Sequence, residues 1–141
     1  MGAVAADQLI TAREPKSIRQ VKVEAGEVLY AGTMCFLDAD GYAVPTAGGL
    51  RFAGIVRKTV DNTGGADGDL EAEVYTEGTF VIPFASVAQA DLTPGLAYAT
   101  DNYTVTATAT SNSFVGVVER VFGTSLAEVR IDTQARPDLI E

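Results

Sequence analysis

No stretch of twelve residues in this chain carries an amphipathic helical period, and that limits the fold more than any other feature. Short apolar runs rich in Val, Thr, Tyr, Phe and Ile alternate instead with turn clusters, and 14 glycines punctuate them. This is the pattern of β-strands joined by tight connections, and it predicts an all-β fold.

The expected elements follow from the punctuation. Residues 1–17 show no period, contain Pro15 and read as an extended N-terminal arm. Strands are expected over 18–24, 28–30, 34–37, 42–44 and 52–60. Asp38-Ala39-Asp40-Gly41 is a hairpin-turn signal between two of them. Residues 61–69, rich in Gly, Asn and Asp, read as a mobile loop. Runs 70–75 and 79–84 read as a hairpin around Glu77-Gly78, and 85–91 as one short helical turn. Four more strands are expected over 96–100, 103–107, 114–122 and 126–132. The division is an arm (1–17), one β-domain (18–132) and a polar tail (133–141).

Landmarks recur in the same order. Leu29-x-x-Gly32, Asp38, Val44, Phe52-x-Gly54-Ile55-Val56 and Glu73-Val74 are followed by Leu92-x-x-Gly95, Asp101, Val105, Phe114-x-Gly116-Val117-Val118 and Glu128-Val129. Duplication or convergent turn chemistry would each give this order. Either way, two pseudo-repeated hairpin units covering one another's apolar faces predict a small barrel or sandwich.

The net charge of −9 argues against nucleic-acid binding, which needs clustered Lys and Arg to neutralise phosphates. The charge is uneven. Residues 1–22 hold four basic groups against two acidic ones, net +2, and the remainder holds six against 17, net −11. No apolar run approaches the ~20 residues that span a bilayer, so no membrane partner is expected. The start of the chain lacks the basic and apolar regions of a secretion signal, which points to synthesis in a cytoplasm. Cys35, the single cysteine, sits in the run Met34-Cys35-Phe36-Leu37 and reads as a small buried hydrophobe.

Catalytic options are thin. There is no His, hence no Ser-His-Asp or Cys-His arrangement and no His metal ligand. The acid pairs Asp38/Asp40, Asp67/Asp69 and Glu71/Glu73 read as solvated side chains. An EF-hand loop begun at Asp61 or Asp38 would put Ala72 or Gly49 where a bidentate Glu is required. Gly64-Gly65-x-x-Gly68 lacks the Lys-Ser/Thr of a phosphate loop. No hairpin tip offers the Lys of a lipoyl or biotinyl carrier. The expectation is a non-enzymatic protein without cofactor or metal.

The order of motifs resembles the capsid decoration (cement) proteins of tailed bacteriophages. The resemblance spans roughly residues 18–132 and rests on Ala25-Gly26-Glu27-Val28-Leu29-Tyr30-Ala31-Gly32, Phe52-Ala53-Gly54-Ile55-Val56, Leu92-Thr93-Pro94-Gly95, Phe114-Val115-Gly116-Val117-Val118 and Ala127-Glu128-Val129-Arg130-Ile131. It implies a β-rich body that binds the outside of the expanded head as homotrimers near three-fold positions. It also implies an arm that pairs with the major capsid protein, here within residues 2–17, with Gly2, Ala3, Val4, Leu9, Ile10, Arg13 and Lys16 as the candidate contacts. The expected location is the virion exterior. Two alternatives share parts of the pattern: another virion component (tail, fibre or head closure) and a small ligand-binding β-barrel.

Overall fold

The structure, a computed structural model, describes residues 18–133. The arm with its candidate contacts, and the tail beyond Thr133, lie outside the described residues. Within them the chain forms β1 (Ile18–Lys22), β2 (Val28–Leu29), β3 (Met34–Leu37), β4 (Ala43–Val44), β5 (Arg51–Val56), β6 (Val60–Asp61), β7 (Glu71–Tyr75) and β8 (Glu77–Pro83). A 3-10 turn, Gln89–Leu92, precedes β9 (Leu96–Ala99), β10 (Val105–Thr106), β11 (Ser113–Phe122) and β12 (Leu126–Asp132). The protein is all-β.

The two large sheets repeat one plan. Their orders are β4-β3-β5-β7-β1 and β10-β9-β11-β12-β8, antiparallel throughout, and β2 pairs with β6 in a small third sheet. The Asp turns, Val44 and Val105, the Phe-x-Gly strands and the Glu-Val strands therefore fall at matching places, whereas Leu29 lies in β2 and its counterpart Leu92 in the 3-10 turn. The register agrees in detail. Phe36 faces Phe52 and Cys35 faces Gly54, with Ala53 bulged out of the ladder; Tyr98 faces Phe114 and Ala97 faces Gly116, with Val115 bulged. The facing rings touch in both units, with centroids 5.9 Å and 5.6 Å apart.

The repeated glycines have a shared cause. A Cβ on Gly54 would strike the carbonyl oxygen of Tyr75, and one on Gly116 the carbonyl oxygen of Arg130, each on the next strand. Only glycine lets those backbones approach so closely. The Asp turns also match: Asp38 Oδ1 accepts from the amides of Asp40 and Tyr42, and Asp101 Oδ1 from those of Tyr103 and Thr104.

Packing sorts these strands into faces. On one side of the first sheet, Cys35, Ala53, Val56, Ala72 and Val74 join Val23 and Leu29 in a small cluster. On the other side, Met34, Phe36, Phe52 and Ile55 join Ala97, Val115, Val118, Ala127, Val129 and Ile131 of the second sheet in the main core. The second sheet thus covers the outer face of the first. Tyr75 against Phe80, with centroids 5.8 Å apart, extends this contact toward the crossover.

Three expectations need correction. Runs 70–75 and 79–84 do not form a hairpin: β7 pairs with β1 and β5, whereas β8 pairs with β12. The chain changes sheet at Thr76, which is buried and whose carbonyl accepts from Thr133 N–H. The strand expected over 52–60 stops at Val56, and Val60 instead pairs with Leu29. The helical turn lies at Gln89–Leu92 rather than 85–91. The barrel alternative also gives way to a sandwich-like arrangement: single parallel bridges, Val23–Ala43 and Phe84–Val105, draw the edges of each sheet together without a ladder that would close it.

Candidate interaction surface

Three parts of the surface bear on binding: an edge, an acidic end and an apolar face. The edge is β1, which follows residues 1–17 in the chain. Of its five residues only Val21 is half-buried, and Ile18 is 50% exposed. Lys22 stands opposite Glu71, a favourable cross-strand pair. The charged Arg19 and Lys22 discourage casual pairing at this open edge.

The acidic end brings Glu24, Glu27, Asp38 and Asp67 near one another. Asp38 is held below the usual carboxylate range, first by the amide of Tyr42. Glu24 is raised, first by desolvation and then by the charge of Asp38. These oxygens are partly committed to the fold: Asp67 Oδ1 accepts from Ala25 N–H at 2.8 Å. Among the described residues no group of three or more His, Cys, Asp or Glu could hold a metal ion.

The loop expected to be mobile, 61–69, is instead tied down here. Asn62 is buried, and its Nδ2 donates to the carbonyls of Val23, Glu24 and Ala66 at 3.3, 3.0 and 3.1 Å. Gly68 N–H donates to Val23 O, and Asp69 Oδ2 accepts from Ala66 N–H. Sequence reasoning missed Asn62 because two of its acceptors lie 38 and 39 residues away. The local signal, an Asn followed by Thr-Gly-Gly, marks a turn without marking a hub.

The apolar face belongs to the second sheet. Leu96 and Tyr98 of β9 stand directly opposite Val117 and Phe114 of β11, so the four side chains share one side of the sheet. That side is turned away from the main core, and all four residues are half-buried. The ion pair Glu119–Arg130, 2.7 Å, borders it, since Arg130 stands opposite Val117.

Cys35 is buried as expected, and burial pushes its thiol up to about 12. The thiolate is the reactive form, and raising the pKa suppresses it. Folded protein should therefore resist alkylation at mildly alkaline pH and take up one label only in denaturant; rapid labelling of the folded form would place the thiol elsewhere.

Searches of family models, curated proteins and solved structures match nothing to this chain.

Proposed function

We propose that this protein is a cement protein of a tailed-phage head, binding the outside of the expanded shell as homotrimers near three-fold positions. The observation that carries the reading is the order of motifs over residues 18–132, which resembles that family from Ala25-Gly26-Glu27 to Ala127-Glu128-Val129-Arg130-Ile131. Further support comes from the surface. The body is acidic, which keeps particles dispersed and repels stray nucleic acid. Residues 1–17, which carry part of the basic leader, lead into the edge strand β1.

In this reading the arm adds a strand to the major capsid protein, gaining main-chain hydrogen bonds with little demand on sequence. The clamp recognises the assembled shell and not its free subunits, so its stabilisation follows mass action. Many modest contacts then act together against internal pressure.

The test is saturable binding of the purified chain to expanded heads that lack it. Deletion of residues 1–17 should leave thermal unfolding of the body unchanged. At ~1 kcal/mol net per main-chain hydrogen bond, losing two or three weakens head binding roughly 30- to 150-fold. Undiminished affinity would reject the arm's role, and attachment only at a vertex or tail would favour another virion component.

A further inference from the structure

We infer that residues 24–31 and 58–69 form a two-part lid over the small cluster of the first unit, clasped by Asn62, and that this lid opens while both large sheets stay folded. The lid stands whether or not the protein binds a phage head.

The repeat shows how unequal the two covers are. By register, Cys35, Val56 and Val74 correspond to Ala97, Val118 and Val129. In the second unit that face lies against the first sheet and is sealed in the main core. In the first unit the same face is covered by two short strands, β2 and β6, which pair over two residues. Leu29 of β2 is buried in the cluster, and Val60 of β6, half-buried, packs against it. Little apolar surface and a short ladder make this the easier of the two covers to lift.

Polar contacts supply the rest of the hold, and they converge on Asn62. Its main-chain N–H donates to Glu27 O at 2.9 Å, and its carbonyl accepts from Gly26 N–H at 3.1 Å and Gly65 N–H at 2.9 Å. With the three bonds from Nδ2, this residue joins 23–27 to 62–66. Asn62 is 2% exposed, so these bonds shield one another and break together rather than one by one. Gly65 leaves room for the clasp, since a Cβ there would strike Asn62 Oδ1. The ends of the lid are anchored at or beside the first sheet: Val23 N–H donates to Leu70 O, Gly32 N–H to Val56 O and Arg57 N–H to Glu73 O. The ladders of β3, β5 and β7 include no lid residue, so the lid can part without opening them. Opening then uncovers the small apolar face that, in the second unit, grips the other sheet.

Native-state hydrogen exchange of residues 1–141, resolved by residue in urea below the unfolding transition, tests this. It registers openings too rare to label Cys35 during an alkylation assay. The amides of Gly26, Asn62 and Gly65 should exchange through one shared opening with little dependence on urea. Those of β11 and β12 should follow the steep dependence of global unfolding. Val129→Ala, in the main core, should speed exchange in β11 and β12 at least about tenfold and leave the lid amides unchanged. Asn62→Ala should speed the lid amides by a common factor of at least about tenfold. Gly65→Ala crowds the same side chain and takes its place should Asn62→Ala fail to fold. Lid amides that share the urea dependence of β11 and β12, or that speed up with Val129→Ala, overturn the inference. So does a folded Asn62→Ala or Gly65→Ala in which they stay as protected as in the parent.

Discussion

Gly54→Ala should lower stability by about 3–5 kcal/mol, combining a positive-φ penalty with overpacking against a fixed backbone. Gly54 has φ +146°, and its new Cβ would meet the Tyr75 carbonyl oxygen while lying 3.0 Å from Val74 Cβ. Neither neighbour can swing aside, because both belong to β7, which is held between β1 and β5. Gly116→Ala meets the same obstacle at Arg130 O and lies 3.2 Å from Ile131 Cα, but it has no left-handed φ to strain. Its cost should be smaller, about 2–3 kcal/mol. Gly123→Ala serves as the control: φ is +67° with nothing within 4 Å of the new carbon, so only the conformational penalty of about 1 kcal/mol remains. Urea unfolding followed by circular dichroism measures all three. Equal effects at Gly54 and Gly123 would show that the close approach between strands is not what demands glycine.

The second large effect is expected at Phe36. Its ring is fully buried and packs on Phe52, so Phe36→Ala should cost about 3–5 kcal/mol through lost transfer energy and the cavity left behind. A domain with a total of 5–15 kcal/mol is brought near its unfolding threshold by such a loss. Tyr98 occupies the same place in the repeat and touches Phe114 in the same way, but it is half-buried. In dilute protein Tyr98→Ala should cost less than half as much. The comparison isolates what the covering sheet contributes, because local register is shared. Equal losses would mean that the two faces are equally covered within one chain.

Local chemistry made much of the fold legible. Met34–Leu37, a continuous apolar run, and Leu126–Asp132, an alternating one, begin and end where turn residues begin, and the Asp38 turn forms with its side chain capping the backbone as Asp-x-Asp-Gly suggests. The recurring landmarks were visible too, and all but Leu29 and Leu92 fall at equivalent positions in the two large sheets. Partner choice was not legible. Glu77-Gly78 looks like a hairpin tip, yet the glycine, at φ +126°, sits within β8 opposite Ile131, and the strands on either side of Thr76 pair in different sheets. Turn residues report a change of direction and say nothing of which strand lies beyond it. Val60 illustrates the same limit: it follows Phe52–Val56 closely in sequence, after Arg57-Lys58-Thr59, while pairing back to Leu29 in space. For the surface, the candidate contacts of the arm, from Gly2 to Lys16, fall outside the described residues. The apolar face was hidden for another reason: Tyr98 and Phe114 have the same alternation as core residues, and only the fold distinguishes a covered side from an open one.

The decisive experiment is a cryo-EM reconstruction of expanded heads incubated with a saturating amount of residues 1–141. Added density is expected on the outer surface over the local three-fold positions, three copies at each, with the arm lying along a strand of the capsid protein. Density confined to one vertex or the tail, or heads left bare at saturation, would contradict it.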